Sequence, residues 1–311
     1  MVYDVIIVGG GPAGLSAALI LARCCRRVVV IDSGQPRNAV VRTFHGYLGR
    51  DGTSPADLLR DGRAELAKYE VEVLHDLVVH AQCCGPEASS DEPDPQETRF
   101  SVVTQTGRTF LSRKLLLATG TRDELPPFEG LRECYGISVH HCPYCDGWER
   151  RDQHLLAYGE HPDSAIGLAE LLKGWSQHVT VLTNGQDLDA EQRQRLQHSC
   201  LAVQEQPVER LLHTDGQLHA VQLQGREPLA ADALFFNSSQ RPQSELSMTL
   251  GCEMANEFIT RTGRRQTTNV PGLFLAGDAD GEVQFVIVAA GEGATAAVAI
   301  NRELQDEDRC R

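Results

Sequence analysis

Between the apolar run Tyr3–Val8 and a small-residue helical pattern through Ala17, Ala18 and Leu21, the chain reads Gly9-Gly10-Gly11-Pro12-Ala13-Gly14. A strand, a glycine loop and a helix in that order leave few folds open. Gly9 permits the tight turn, Gly11 lets a backbone approach a pyrophosphate, and Gly14 allows the helix to pack closely on the strand. The helix opens at Pro12 and Ala13, where unpaired N–H groups and the positive dipole end face the phosphate. A second apolar run, Val28–Ile31, ends at Asp32, where a carboxylate can bond a ribose 2′-hydroxyl. The segment reads as a βαβ unit of dinucleotide-binding type.

At 311 residues the chain has room for two domains, each with its own core. A net charge of −14 argues against nucleic-acid or anionic-membrane partners, and no apolar run is long enough to span a bilayer. The N-terminus lacks the basic start and cleavage site of a secretory signal, so a cytoplasmic location is expected. In that setting most of the ten cysteines should be free thiols. The adjacent pairs Cys24-Cys25 and Cys83-Cys84 read as incidental, and the cysteine spacings give no metal site.

Downstream, Thr53–Tyr69 is helical with Ser54-Pro55 as its start, and Val71–Val79 reads as a strand. Gly85–Glu97, acidic and rich in Pro, Ser and Asp, reads as a solvated hairpin tip or insertion. Phe100–Leu111 suggests two antiparallel strands around Gly107, and Leu115–Ala118 runs into Thr119-Gly120. A second βαβ pattern spans His154–Tyr158, Asp163–Leu172 and Val179–Leu182. Further β segments follow at Val208–Leu212, Leu218–Leu223 and Ala233–Phe236, and Asn237–Ser244 reads as a connector. Strand Leu273–Ala276, the pair Gly277-Asp278 and a helix over Val286–Leu304 complete the chain. The fold class predicted is α/β, with two Rossmann-like nucleotide-binding domains, the second inserted into the first, and antiparallel β elements. Residues 1–114 and 245–311 would form the outer domain and 121–240 the inserted one.

Within the inserted part, Cys142-Pro143-Tyr144-Cys145 lies between His140-His141 and Asp146-Gly147. A C-x-x-C can cycle between dithiol and disulfide, and a nucleotide cofactor can supply or remove the two electrons. A thiolate at a helix start is stabilised by the dipole, and His140, His141 or Asp146 could manage its protons.

These pieces resemble the low-molecular-weight thioredoxin reductase family over essentially the whole chain. The matches are Gly9–Gly14, Ala118-Thr119-Gly120, Cys142–Gly147, Val270–Asp278 and Ala289–Gly293. The resemblance implies FAD in the outer domain, held by Gly9, Gly11, Pro12, Ala13, Gly14 and Asp32, with Thr119, Gly120, Gly277 and Asp278. Gln284, Phe285 and Val286 would lie near the flavin. It implies that Cys145 lies beside the isoalloxazine, that Cys142 attacks the outside substrate, and that Asp146 is the proton-donating acid. His141 is a further candidate for proton transfer. A thioredoxin-like protein or a small dithiol or disulfide is the implied substrate, and a homodimer the implied assembly.

Two departures from the family pattern are informative. Where the inserted domain should carry a G-x-G-x-x-A loop for NADPH, the chain reads Tyr158-Gly159-Glu160-His161-Pro162-Asp163-Ser164-Ala165. The next strand ends at Leu182-Thr183-Asn184-Gly185 without the cationic cluster expected to clamp a 2′-phosphate, and Arg193 and Arg195 read as surface-helix residues. Near the flavin, Val283-Gln284-Phe285-Val286 resembles a C-P-Y-C branch that includes dithiol oxidases, although those often carry His in place of Asp146. The expectation is an FAD-dependent thiol–disulfide oxidoreductase that uses NADPH poorly, with a second flavin in the inserted domain as an open alternative. Other open readings are an oxygen-dependent dithiol oxidase, a ferredoxin- or second-flavin-linked disulfide reductase, and an ordinary NADPH-dependent thioredoxin reductase.

Overall fold

Side chains alternate across an extended strand, and in the buried part of β1 (Val2–Val8), residues 5–8, both faces of that alternation are apolar. Such a strand must be covered on both sides. The computed structural model describes residues 1–84, 99–237, 239–256, 259–281 and 283–309, and shows how the covering is achieved. After the glycine loop come α1 (Pro12–Arg23), β2 (Val28–Asp32), α2 (Pro55–Ala67) and β3 (Glu72–His75). The Ser54 hydroxyl caps α2 by accepting from the Asp57 N–H at 3.1 Å, with Pro55 in the first turn.

The stretch expected as one strand over Val71–Val79 is two, because Asp76 interrupts it. Its carboxylate accepts from the Leu77 N–H at 2.8 Å, and the chain turns from β3 into β4 (Val78–Cys83). Strand β4 pairs antiparallel with β5 (Phe100–Thr104), and β5 with β6 (Thr109–Leu117). Gly107, at φ +81°, makes the turn between the last two. The predicted tip at Gly85–Glu97 lies outside the described residues.

The chain then passes through β7 (Thr121–Asp123), α3 (Leu131–Cys134), β8 (Val139–His140) and α4 (Pro143–Asp146). The second βαβ pattern appears as β9 (Leu155–Gly159), α5 (Pro162–Leu172) and β10 (Val179–Leu182). It is followed by α6 (Ala190–His198), β11 (Ala202–Gln204), β12 (Val208–Thr214), β13 (Gln217–Leu223), β14 (Leu229–Ala230) and β15 (Ala233–Asn237). The connector expected over Asn237–Ser244 contains a short strand, β16 (Gln240–Pro242), which pairs with β7. The last elements are α7 (Leu246–Thr249), β17 (Leu273–Leu275) and α8 (Val286–Arg309).

Two compact units result. One takes in residues 1–39, 46–122 and 241–311, and the other 40–45 and 123–240. In the outer unit the strand order is β3-β2-β1-β6-β5-β4, and β17 lies parallel to the end of β6 at Leu115–Leu117. Val5 and Ile7 face α1, α2 and α8, while Ile6 and Val8 face the opposite core with Phe100, Phe110 and Leu246. A Cβ on Gly293 would fall 2.0 Å from the Ala13 carbonyl oxygen, so α8 can meet α1 this closely only at a glycine.

The inserted unit has a five-stranded parallel sheet, β11-β10-β9-β15-β8, and an antiparallel sheet, β12-β13-β14. Leu155 and Ala157 pack on α5, and Leu156 and Tyr158 on the core that takes in β12 and β13. Both units are thus doubly covered α/β layers, as the sequence predicts. Among the described residues, no helix is long and apolar enough to cross a membrane.

Candidate active site

In the outer unit the glycine loop joins β1 to α1. A Cβ on Gly9, which sits at φ +107°, would lie 2.2 Å from the Ala118 carbonyl oxygen, and one on Gly14 1.9 Å from that of Gly9. A Cβ on Gly11 or Gly120 would meet nothing within 4 Å. The first pair are required by packing, whereas the second pair border open space. Pro12 and Ala13 open α1 beside that space. Thr119 is close to Gly9, its backbone N 3.3 Å from where a Cβ on Gly9 would be.

Asp32, at the end of β2, receives a hydrogen bond from Arg63 Nη2 to Oδ2 at 2.7 Å. The Gly277-Asp278 turn reaches the same place, since a Cβ on Gly277 would lie 3.0 Å from that of Ala13. Its geometry is fixed from two sides. The Gly277 N–H donates to Glu292 Oε2 at 2.7 Å, and Arg37 Nη1 donates to Asp278 Oδ2 at 3.0 Å and to Gln284 Oε1 at 2.6 Å. Phe285 and Val286 open α8, the Ala289 N–H bonding back to the Phe285 carbonyl at 2.9 Å. Arg37, Arg63 and Glu292 were not legible as site residues, because their partners are remote in sequence. An open, glycine-lined backbone surface at a helix start fits the pyrophosphate of a dinucleotide such as FAD.

In the inserted unit Cys142 and Cys145 form a disulfide, with Cys142 at the N-cap of the short helix α4. Cys24, Cys25, Cys83, Cys134, Cys200 and Cys252 are free thiols. Asp146 ends α4, and Gly147 is needed after it because a Cβ there would lie 2.9 Å from the Trp175 ring. His140, only 4% exposed, stacks 5.3 Å from Phe235. Its Nδ1 lies 3.3 Å from Asp146 Oδ1, and its Nε2 accepts from Arg150 Nε at 3.4 Å. Arg150 also donates to the Ile137 carbonyl oxygen. Burial holds the Arg150 guanidinium below its ordinary range, against the opposing effect of Asp146, Glu149 and Asp232.

His141 turns the other way. Its Nδ1 is 3.1 Å from the Tyr135 hydroxyl, which donates to Asp123 Oδ2 at 2.7 Å. The structure therefore brings Cys142, Cys145, Asp146 and His140 into one arrangement and places His141 in another. Among the described residues, no cluster of three or more metal-ligating side chains occurs.

At the second βαβ turn, a Cβ on Gly159 would lie 2.0 Å from Ser164 Oγ, so this glycine serves strand–helix packing. Glu160 accepts from the Ser239 N–H at 3.0 Å and the Ser239 hydroxyl at 2.8 Å, bonds that hold its carboxyl below the usual range. His161 is the N-cap of α5, and Pro162 its first residue. Arg193 is held by Glu205 at 2.8 and 3.0 Å, and Arg195 by Glu170 at 3.0 and 2.5 Å.

A glycine cradle in one Rossmann-like unit and a C-x-x-C disulfide in the other define a nucleotide-linked disulfide oxidoreductase. The chain belongs to the pyridine nucleotide-disulphide oxidoreductase family, which matches residues 3–293. It is similar to the thioredoxin reductase aclD of Aspergillus oryzae, at 30% identity over 99% of this chain and 98% of that protein. The crystal structure of HlmI is 37% identical, with a TM-score of 0.92 over 99% of this chain and 94% of that one. The structure of an oxidoreductase from Agrobacterium tumefaciens is 31% identical, with a TM-score of 0.87 over 98% and 99%. The protein is thus an oxidoreductase, a thioredoxin reductase-like flavoprotein.

Proposed function

We propose that the protein is an FAD-dependent thiol–disulfide oxidoreductase that passes two electrons between the Cys142–Cys145 pair and an external dithiol or disulfide, and that NADPH serves it poorly. The observation that carries this reading is the Cys142–Cys145 disulfide at a helix start with Asp146 beside it, in a unit whose own nucleotide loop lacks a glycine cradle. FAD, when bound by the outer unit's glycine loop, Asp32 and the Gly277-Asp278 turn, supplies the two-electron acceptor or donor for the cysteine pair.

In the direction of dithiol oxidation, the Asp146 carboxylate takes the proton of an incoming thiol. The thiolate attacks Cys142 Sγ, the Cys142–Cys145 bond breaks, and Cys145 leaves with the electron pair as a thiolate. The substrate's second thiol then displaces Cys142 from the mixed disulfide, and its proton passes to the departing thiolate. The external dithiol has become a disulfide, and the enzyme's disulfide a dithiol. In the reverse direction the same groups reduce a thioredoxin-like protein or a small disulfide.

The poor use of NADPH follows from the loop at Gly159–Pro162. A pyrophosphate needs backbone N–H groups it can approach without a side chain between them. Here Glu160 adds an anionic carboxylate, Pro162 removes a donor and His161 adds bulk. Arg193 and Arg195, the nearest cations in sequence after β10, are already engaged by Glu205 and Glu170. The same loop favours a donor or acceptor other than NADPH, including a second flavin nucleotide with its own contacts.

Anaerobic titration with NADPH, NADH and dithiothreitol, followed by flavin absorbance, tests the reading. Dithiothreitol should bleach the flavin, and the nicotinamides should not. Rapid bleaching by micromolar NADPH would return the protein to the ordinary reductases. Cys142→Ser and Cys145→Ser should each retain FAD and lose reduction by dithiol, whereas activity in both would make the disulfide merely structural.

A further inference from the structure

The turn that carries the disulfide holds a second polar arrangement, behind Asp146. An arginine Nε–H can only donate, so His140 Nε2, 3.4 Å from Arg150 Nε, must be the bare ring nitrogen. The ring proton then sits on Nδ1, which faces Asp146 Oδ1 at 3.3 Å. A carboxylate oxygen this close to the N–H-bearing ring nitrogen is drawn to it as an acceptor. From this geometry we infer that His140 is a positioning residue for the redox site: locked in one tautomer by Arg150, it aims the Asp146 carboxyl as a proton acceptor, next to Cys145 in the chain.

The inference rests on the thiol–disulfide reading above and adds the residue that prepares its acid–base group. The ring has little freedom to do otherwise. It is almost fully buried, its strand β8 pairs with β15 at Phe235, and the Phe235 ring lies against it. Arg150 is itself tied to the Ile137 carbonyl, so the donor that fixes the tautomer is fixed in turn. In the disulfide state the site therefore holds an electrophilic sulfur and a proton acceptor together, the combination an incoming dithiol requires. His140 never meets the substrate in this scheme.

The test is the anaerobic half-reaction in which excess dithiothreitol reduces the bound flavin, followed by stopped flow. His140→Phe keeps the bulk and removes the donor, whereas His140→Asn keeps an amide N–H near the position of Nδ1. Positioned acid–base groups typically contribute about 100-fold or more, and an orienting partner should account for about a tenfold share of that. His140→Phe is expected to slow flavin reduction by about tenfold, with unchanged FAD affinity and melting temperature. His140→Asn should recover most of the loss, and Asp146→Asn should be at least as slow as His140→Phe.

A His140→Phe rate equal to that of the parent overturns the inference. So does a His140→Asn variant as slow as His140→Phe, because packing alone would then explain the effect. Should His140→Phe fold poorly, the decision passes to Arg150→Met, which frees the tautomer: slower reduction supports the lock, and an unchanged rate overturns it. The Cys142→Ser and Cys145→Ser variants in the same assay separate the two levels. If either reduces flavin at the parental rate, the disulfide relay itself has failed, whatever His140 does.

Discussion

A Cβ on Gly14 would lie 1.9 Å from the Gly9 carbonyl oxygen, whereas one on Gly11 meets only open space. The two substitutions should therefore fail differently. Gly14→Ala forces backbone apart and is expected to cost about 3 kcal/mol, read as a fall in the chemical-denaturation midpoint. Gly11→Val should keep the fold, with circular dichroism unchanged, and lose bound FAD. Full FAD occupancy in that variant would defeat the cofactor assignment. Residue-scale strain shows elsewhere too. Helix α1 closes with Cys25 at φ +59°, its N–H bonded to the Ala22 carbonyl and the Arg26 N–H to that of Leu21. That left-handed position suits glycine, and Cys25→Gly should stabilise the protein by about 0.5–1 kcal/mol in the same measurement.

Helix α8 is bound to the sheet by charge as well as by apolar packing. Lys114, on β6 and 2% exposed, reaches Glu303 at 2.6 Å and Glu307 at 2.8 Å. Its neighbour Arg113 reaches Asp4, Glu307 and Asp308 at 2.8–3.0 Å. Burial would raise the Glu307 carboxyl, but Lys114 and Arg113 outweigh it and hold it below the usual range. Because the folded value is depressed, this contribution is complete above the unfolded carboxylate range, near pH ~4.3, and is lost as pH falls through the folded value.

The two halves of this arrangement are not equivalent. Lys114→Met leaves carboxylates that water can reach, whereas Glu303→Gln with Glu307→Gln leaves a buried ammonium without a counter-charge. The double variant should cost about 3 kcal/mol, and Lys114→Met clearly less. Both should flatten the acid limb of stability, as measured by denaturant titration from neutral pH down to about pH 3. Equal costs would show that the buried ammonium is not what the carboxylates support.

Each of the two units has its own pair of apolar cores, and the glycine loop proposed to hold FAD lies in the outer one. Binding that favours only the folded state stabilises by about 2.7 kcal/mol at a hundredfold excess over Kd. Adding FAD to the apoprotein should therefore raise one calorimetric transition, that of the outer unit, and leave the other in place. Equal movement of all unfolding with FAD would contradict this division. The net charge of −14 belongs to this scale as well, and should keep the protein from retention on nucleic acid at physiological salt.

What the sequence determined by itself is what short spans can encode. Strand, glycine loop and helix at Tyr3–Leu21 specify their geometry within one turn of chain, and the C-x-x-C needs only a helix start to bring its sulfurs together. The apolar runs of the second βαβ pattern were equally local, and so was its missing glycine cradle. Tertiary structure decided the partners. His140 and His141 are neighbours in sequence, but His140 ends strand β8 and the chain bends at His141. One therefore meets Asp146 and Arg150, and the other Tyr135. Arg37 reaches Asp278 across 241 positions, and Glu160 meets Ser239 across 79. No local pattern marks such pairs, because what joins them is the order of strands in a sheet and the return of the chain after an insertion.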